Sequence, residues 1–307
     1  MEIKNKKFIV TGGAGFIGSN LVDKLVDLGC SVHVIDDFST GLSENCNNKA
    51  IYHEKDISDI NLKSTFDDIM NDAYGIFHMA ARARVQPSIE DPINTEKNNT
   101  QGTINMLTSA KDSNVKRFVY SSSSSVYGNP TSLPTNENSP INPLSPYGMQ
   151  KYYGELACKV FAKIFSIETV SLRYFNVYGE KQNFNGAYSL VLSIFANPLK
   201  NNQPLSITGD GEQKRDFTYV GDVVNANILA MESDIVGKGE SINIGNGSNY
   251  SINQIADMMG GEKVYIDPVI EPKETLADNF KAQQILNWKP SMDLKEWIKT
   301  YKKDLGI

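Results

Sequence analysis

Short apolar runs alternate with helical patterns through the first half of the chain. Five segments have the character of strands: KFIVTG, SVHVID, AIYHEKDI, YGIFHMA and KRFVYSS. Between the first two lies FIGSNLVDKLVDLG, in which Ile17, Leu21, Leu25 and Leu28 follow the spacing of one helical face. Strands and helices that alternate at this interval predict βαβ units and a parallel sheet.

The second half continues this pattern with an interruption. TVSLRYFNVYG and SINIGNG predict a sixth and a seventh strand, and the intervening segment 180–215 is rich in Asn and Gly. The tail carries two helical patterns, YSINQIADMM with Ser251 as the predicted N-cap and SMDLKEWIKTY with Ser291 as the predicted N-cap. We therefore expect an α/β fold, a Rossmann-type doubly wound parallel sheet with a smaller C-terminal α/β substrate domain. The expected division is residues 1–178 plus 217–248 for the first domain and residues 179–216 plus 249–307 for the second.

Composition narrows the class of protein. Of 307 residues, 40% are hydrophobic and 21% are charged, which is typical of a globular protein in water. A net charge of −6 argues against a nucleic-acid partner, and no apolar stretch is long enough to indicate a membrane span or a secretory signal. The three cysteines are scattered without CxxC spacing, so we expect reduced thiols in a cytoplasmic protein. The three histidines are isolated from one another, so no metal site is expected.

The first strand runs into a glycine turn, TGGAGFIGSN, that opens a helix. Gly13, Gly15 and Gly18 satisfy G-x-G-x-x-G, and Gly12, Gly15 and Gly18 satisfy G-x-x-G-x-x-G. Glycines allow a backbone to turn tightly and to approach a pyrophosphate, whose charge is favoured at a helix N-terminus. Because a strand precedes the turn and a helix follows it, the sequence predicts a dinucleotide site.

Asp36 indicates which dinucleotide is bound. It ends the second predicted strand, where a carboxylate can accept hydrogen bonds from the adenosine ribose diol. The alternative is an aspartate that only caps a turn. The following residues, DFSTG, offer no cation for a 2′-phosphate, and Asp37 adds a second carboxylate that would repel one. We therefore expect NAD as the cofactor and not NADP.

The run YSSSSSVYG and the later segment SPYGMQK predict the chemistry of the site. Five serines resemble a flexible linker, but they directly follow the fifth predicted strand, whose end belongs to the ligand-binding edge of such a fold. Ser145 and Pro146 predict a helix start, which puts Tyr147 and Lys151 on one helical face. The Tyr-x-x-x-Lys spacing alone is no better than chance. Its position after the fifth strand predicts a Ser–Tyr–Lys unit beside the nicotinamide, where positive charge would lower the pKa of the phenol.

The chain resembles a known family in the order of its motifs. TGGAGFIG, DDFSTG, HMAARARV, SSSSSVYG, PYGMQK, RYFNVYG and GDGEQKRDFTYV are similar to those of the extended short-chain dehydrogenase/reductases, and specifically of the UDP-hexose 4-epimerases. The resemblance covers nearly the whole chain. It implies a homodimer that binds a UDP-sugar and keeps NAD as a resident cofactor.

The resemblance also implies roles for individual residues. The implied catalytic residues are Ser123, Tyr147 as the acid/base and Lys151 as its electrostatic partner. The implied cofactor-binding residues are Gly12, Gly15, Phe16, Ile17, Gly18, Asp36, Asp37, Asp56, Ile57, Met79, Ala80, Ala81, Asn99, Ser121, Tyr147, Lys151 and Phe175, and the implied cofactor lining after the fourth strand runs from Met79 to Ala83, which includes Arg82. The implied substrate-binding residues are Arg84, Ser123, Ser125, Tyr147, Asn176, Ser189, Leu190, Arg215, Thr275 and Asp278.

The implied reaction interconverts UDP-glucose and UDP-galactose, and UDP-GlcNAc and UDP-GalNAc, through a transient 4-keto sugar. Related 4,6-dehydratases carry an Asp-Glu pair after the catalytic serine or threonine, where this chain has Ser124 and Ser125. The open alternatives are a UDP-glucuronate 4-epimerase, a 4,6-dehydratase, a reductase and a regulator that binds NAD or a nucleotide sugar without turnover.

One segment departs from the family pattern. Many relatives have a second diphosphate-binding arginine before a TLAD-like stretch, whereas DPVIEPKETLAD has none, and Lys273 is the cation that could replace it.

Overall fold

The computed structural model describes residues 3–182, 191–269 and 271–307, and in these ranges it contains a seven-stranded parallel sheet. The strand order is β11-β6-β5-β4-β1-β2-β3, so the order reverses between β1 and β4. The strands are β1 Lys7–Thr11, β2 Ser31–Asp36, β3 Ile51–Glu54, β4 Gly75–His78, β5 Arg117–Ser123, β6 Glu168–Tyr174, β7 Val177–Tyr178, β8 Leu205–Thr208, β9 Lys214–Asp216, β10 Thr218–Tyr219, β11 Lys238–Ile244, β12 Asn249–Ser251 and β13 Lys263–Ile266.

Helices flank the sheet and form the C-terminal part of the chain. They are α1 Phe16–Asp27, α2 Lys63–Met70, α3 Val85–Glu90, α4 Pro92–Glu96, α5 Gly102–Asp112, α6 Pro146–Phe165, α7 Val191–Lys200, α8 Val220–Glu232, α9 Ile252–Met259, α10 Phe280–Leu286 and α11 Leu294–Leu305. A π-helical turn, Lys97–Gln101, joins α4 to α5. The seven strands predicted from the sequence are β1 to β6 and β11, and the Rossmann-type α/β fold is confirmed.

Three buried apolar clusters account for the layers. One contains Leu21, Val224 and Val10, which join α1 and α8 to one face of the sheet. A second contains Phe66, Met106 and Phe118, which join α2 and α5 to the other face. A third lies away from the sheet and packs α7, α9 and α11 around residues such as Phe195 and Trp297. None of the helices in the described ranges is both long and apolar enough to span a membrane.

Residues 280–288 lie differently from the expected domain division. The expected division places them in the second domain, but Ala282, Leu286 and Trp288 are buried in the cluster on the main sheet. The Trp288 indole donates to the Asp222 carbonyl at 2.8 Å, which ties this segment to α8. The exact boundary between the two domains stays a prediction.

The helix starts confirm two of the predicted caps and correct a third. Ser145 accepts a hydrogen bond from the Gly148 amide, and Ser251 forms a capping box with Gln254. Ser291 is not the N-cap of the last helix, because Asp293 occupies that position and accepts from the Lys295 and Glu296 amides. Because Asp293 accepts from the amides at the start of the helix, the Ser291 hydroxyl has another partner and donates to the Asp222 carboxylate at 2.6 Å.

Candidate functional site

A cavity of about 560 Å³ follows the carboxyl ends of the sheet strands, at the point where the strand order reverses. Open α/β sheets bind their ligands at this crevice. Most of the predicted site residues line it: Gly12, Gly15, Phe16, Ile17, Gly18, Asp36, Asp37, Ile57, Met79, Ala80, Ala81, Arg84, Ser121, Ser123, Ser125, Tyr147, Lys151, Asn176, Arg215 and Thr275.

The glycine turn after β1 fits a dinucleotide. Gly12 has φ +70°, and a Cβ on it would lie 2.7 Å from the Ala80 amide nitrogen. A Cβ on Gly18 would lie 2.1 Å from the Gly12 carbonyl oxygen, so only glycine lets α1 start this close to the strand end. The N-cap of α1 is Gly15, and the first turn has no acidic residue. This end of α1 can therefore accept an anion such as a pyrophosphate.

Asp36 is fixed at the end of β2. Its carboxylate accepts from the amides of Ala14 and Phe38, each at 2.9 Å, and it is 6% exposed. Burial raises the pKa of Asp36, while the two amide donors act in the opposite direction. Because these donors orient a carboxylate that also lines the cavity, the geometry fits a ribose diol in addition to the turn that Asp36 closes.

The catalytic trio predicted from the sequence comes together on one wall of the cavity. Ser123 ends β5, and Tyr147 and Lys151 lie one turn apart near the start of α6. The Ser123 hydroxyl lies close enough to the Tyr147 phenol to lower the pKa of that phenol. The Lys151 ammonium donates to the Ser121 carbonyl at 2.7 Å and lies 5.9 Å from the centre of the Tyr147 ring.

The pKa values of this trio follow from burial. Burial raises the pKa of Tyr147, while the Ser123 hydroxyl and the positive charge of Arg84 lower it. Burial lowers the pKa of Lys151 to about 7, against the influence of Cys158 and Glu155. The groups of the protein alone thus leave the phenol pKa above its ordinary value. The lowering expected from the sequence would have to come from the positive nicotinamide ring.

The serine run is part of the folded site and not a linker. Ser121, Ser122 and Ser123 belong to β5, and the next two residues begin a 3-10 turn, Ser124–Val126. The Ser125 hydroxyl donates to the Ser123 hydroxyl at 2.9 Å. Ser122 points the other way, onto the buried carboxylate of Glu155. Ser121 and Ser122 therefore direct their hydroxyls to opposite faces of the strand, to Tyr174 and to Glu155, while all five serines contribute to the cavity lining.

The far end of the cavity adjoins a smaller one of about 140 Å³. Arg84, Asn176, Arg215 and Glu271 line both, so they stand at the junction. The Arg215 guanidinium is 9% exposed and forms an ion pair with Glu271. Asn176 donates to the Thr275 hydroxyl at 3.2 Å and to the Asp216 carbonyl at 3.0 Å. These contacts hold the Arg215 guanidinium and the Asn176 carboxamide at the junction.

Four predicted site residues do not line either cavity. The Asp56 carboxylate accepts from the Ser58 amide at 2.8 Å, so it closes a turn, and Lys55 lines the cavity instead. Asn99 bridges Gln150 and the backbone of Arg82, and Asn98 takes the lining position. Phe175 packs in a small apolar cluster with Tyr127. Asp278 accepts from the Phe280 amide at 2.9 Å. The two further predicted substrate residues, Ser189 and Leu190, lie outside the described residues.

Three charged residues near the site were not predicted from the sequence, and a fourth, Arg82, was predicted only as part of the cofactor-lining range Met79 to Ala83. Arg82 and Glu271 line the cavity, and the pair of Glu155 with Arg173 lies beneath the serine strand. Lys273, proposed from the sequence as a replacement cation, is exposed and is absent from the lining of either cavity. Charge alone gave no signal for these residues, since most charged side chains are solvated at the surface.

Comparison with known proteins gives a family match over most of the chain. The model of the NAD dependent epimerase/dehydratase family matches residues 8–245. A Methanocaldococcus jannaschii protein, provisionally named UDP-glucose 4-epimerase, is 41% identical over 298 residues and covers 95% of both chains.

Solved structures are similar over nearly the full length. The UDP-N-acetylglucosamine 4-epimerase of Methanobrevibacter ruminantium, solved with UDP-N-acetylmuramic acid, has a TM-score of 0.90 and 34% identity, covering 98% of this chain and 99% of that one. The UDP-glucuronic acid 4-epimerase of Bacillus cereus, solved with UDP-glucuronic acid and NAD, has a TM-score of 0.88 and 33% identity, with coverage of 98% and 99%.

Proposed function

The chain belongs to the NAD-dependent epimerase/dehydratase family and is an NAD-dependent enzyme of the UDP-hexose 4-epimerase type, and we propose that it inverts C4 of unsubstituted and N-acetylated UDP-hexoses. The substrates would be UDP-glucose and UDP-galactose, and UDP-GlcNAc and UDP-GalNAc. The observation that carries the proposal is the Ser123–Tyr147–Lys151 trio, which lines the same cavity as the glycine turn, and the described residues beside the trio include no acid–base pair of carboxylates.

The chemistry of the trio divides between the cofactor and the chain. NAD supplies the hydride acceptor and donor for carbon. Tyr147 takes the proton from the C4 hydroxyl and returns it after the 4-keto sugar has presented its other face. Ser123, whose hydroxyl acts on the Tyr147 phenol, orients the C4 hydroxyl of the sugar. Lys151, held by the Ser121 carbonyl, would in its protonated form add to the charges of Arg84 and of the nicotinamide ring, which favour the tyrosinate.

The charged groups in the cavity favour epimerisation over elimination of water. Elimination across C5 and C6 needs an acid and a base near the reacting carbons. The carboxylates among the described lining residues are Asp36 and Asp37 at the end of β2, and Glu271, which is paired with Arg215. Near Tyr147 the chain offers hydroxyls, such as that of Ser125. A 4,6-dehydratase is therefore the less favoured alternative.

Arg215 and Arg84 are the proposed anchors of the diphosphate. Both line the junction of the two cavities, and the charge of Arg84 also reaches the phenol of Tyr147. The charge of Arg215 is already paired with the carboxylate of Glu271, so a doubly charged diphosphate needs a further cation. Arg84 lines the same junction and can supply that positive charge. In this proposal Arg84 replaces the arginine that many relatives carry before the TLAD-like stretch.

Thr275 supports the inclusion of N-acetylated substrates. Its side chain lines the cavity and is 9% exposed. By family resemblance this position faces the C2 substituent, where a tyrosine would exclude an N-acetyl group. Thr275 is small, but its hydroxyl also accepts from the Asp216 amide and from Asn176, each at 3.2 Å. Thr275 would therefore leave room for the C2 substituent and also hold the side chain of Asn176 in position.

A homodimer is the proposed assembly. Helix α6 exposes five apolar side chains that recur at helical spacing: Met149, Tyr153, Leu156, Val160 and Ile164, between 44% and 64% exposed. A stripe of this kind fits a second copy of the same helix. Light scattering should report twice the mass of the chain, and a monomer at micromolar concentration would exclude the proposal.

The function is tested by product analysis. The purified protein is incubated separately with UDP-galactose, UDP-GalNAc and UDP-galacturonate, without added NAD, and the sugar nucleotides are separated and identified. We expect the C4 epimer of the first two substrates. Conversion of UDP-galacturonate alone would indicate the glucuronate epimerase, and a 4-keto-6-deoxy product would indicate a dehydratase. A lack of conversion with NAD bound would favour the non-catalytic regulator.

A further inference from the structure

Arg82 connects two lips of the cofactor cleft. It follows β4, and its guanidinium lies 3.2 Å from the Asp37 carboxylate and bonds the Ser39 hydroxyl, both of which follow β2. The guanidinium also donates to the side chain of Asn98 at 3.1 Å. All four residues line the cavity, and Arg82 and Asp37 are 18% and 29% exposed.

The sheet order makes this contact a bridge across the cleft. In the order β4-β1-β2, the strands that lead to Arg82 and Asp37 are separated by β1, a distance of about 10 Å between strand axes. The glycine turn that ends β1 lies between them. The adenosine half of a dinucleotide runs from this turn towards the carboxylate that ends β2, here Asp36. Arg82 therefore crosses the segment in which the adenosine must lie.

The two ends of the bridge differ in stability. At the backbone end of Arg82, the root of the bridge, the Arg82 amide donates to the Asn99 side chain at 2.8 Å, and Asn99 in turn donates to Gln150 at 2.7 Å. Asn99 and Gln150 are each 1% exposed, so the root is fixed to the interior. At the guanidinium end, the tip of the bridge, Arg82 binds Asp37 and Ser39. These two residues are part of an open loop, where an ion pair is screened by water and salt. The tip can separate while the root stays in place.

We propose that Arg82 is a strap that closes over the adenosine of NAD by binding Asp37 and Ser39, and so slows the loss of the cofactor. An enzyme that returns the hydride to its own substrate gains from such retention, since it has no need to exchange NAD in each cycle. The strap also explains the position of Asn99, a predicted cofactor residue that reaches the cleft only through Arg82.

The proposal is tested by the dissociation of NADH, measured as the decay of bound fluorescence after a chase with excess NAD. Arg82→Gln and Asp37→Asn should each release NADH on the order of tenfold faster, because each removes a charge-assisted contact. The double variant should be no faster than either single variant, because both break the same contact. Higher ionic strength should accelerate release from the wild type more than from the variants.

A matched control is Lys97→Gln. Lys97 is 59% exposed and lies 3.8 Å from the Asp56 carboxylate, so the variant removes the same charge near the adenosine end without crossing the cleft. Its release rate should stay near that of the wild type. Equal rates for Arg82→Gln and the wild type, or equal acceleration by Lys97→Gln, would overturn the strap. Selective loss of NADPH binding in Arg82→Gln, with unchanged NADH release, would make Arg82 a phosphate contact instead.

Discussion

The buried pair of Glu155 and Arg173 provides a quantitative test of the structure beneath the catalytic strand. The guanidinium binds both carboxylate oxygens, at 2.8 and 2.6 Å, and the two side chains are 4% and 5% exposed. The hydroxyls of Ser122 and Ser241 donate to the same carboxylate. Glu155 thus joins α6 to β5, β6 and β11, one turn from Lys151.

Glu155→Gln keeps the shape of the side chain and removes its charge. Arg173 then stays charged in the interior with one fewer acceptor, and breaking a buried pair in this way typically costs about 3–5 kcal/mol. Unfolding entropy is about 2 cal/mol/K per residue, so for a chain of 307 residues the Tm should fall by roughly 5–8 °C. Calorimetry at a fixed excess of NAD measures this shift without a change in cofactor occupancy.

Glu168→Gln is the matched control. Glu168 also pairs with a buried arginine, Arg117, at 2.6 Å, but Glu168 itself is 39% exposed and water can replace it. The Arg117 guanidinium keeps backbone carbonyl acceptors, including that of Ala230 at 2.8 Å. This variant should lower the Tm by less than half as much as Glu155→Gln. Equal shifts, or a shift below 1 °C for Glu155→Gln, would refute the argument from burial.

Three further predictions concern catalysis, substrate choice and acid stability. Tyr147→Phe should leave NAD bound and reduce turnover by ~10²–10⁴-fold, the usual share of a general acid–base, and a rate near wild type would remove Tyr147 from the mechanism. Thr275→Tyr should suppress turnover of UDP-GalNAc more than that of UDP-galactose, whereas Thr275→Val, which keeps the size and loses the hydroxyl, should reduce both equally; parallel losses in the tyrosine variant would exclude size selection. His78 is buried between the hydroxyls of Thr11 and Thr103, and burial lowers its pKa to about 3. The unfolded chain binds this proton near pH 6.5, so stability should fall as the pH drops from about 6.5 to about 3, and urea unfolding of His78→Gln should show a flatter decline.

Local patterns in the sequence determined the strands, the glycine turn and the start of α6. Short apolar runs, helical spacing and the Ser145–Pro146 start depend on neighbours within a few residues, and the structure has all of these elements where they were predicted. The Tyr147–Lys151 spacing indicated a catalytic unit only because it follows the fifth strand, and the order of elements along the chain can also be read from the sequence. The carboxyl ends of parallel strands meet at one edge, so even the location of the cleft followed from the sequence.

Contacts between distant segments were decided by the tertiary structure. Arg82 meets Asp37 across 45 residues, and Glu155 meets Ser241 across 86. Although Asp37 and Arg82 each lie in a family motif, neither motif indicates that these two residues are partners. The same applies to Asn99, which has the residue type expected at a cofactor site, but its side chain hydrogen-bonds the backbone amide and carbonyl of Arg82. A polar side chain can satisfy its hydrogen bonds with ligand, backbone or neighbour, and only the packed chain fixes which of these lies within reach.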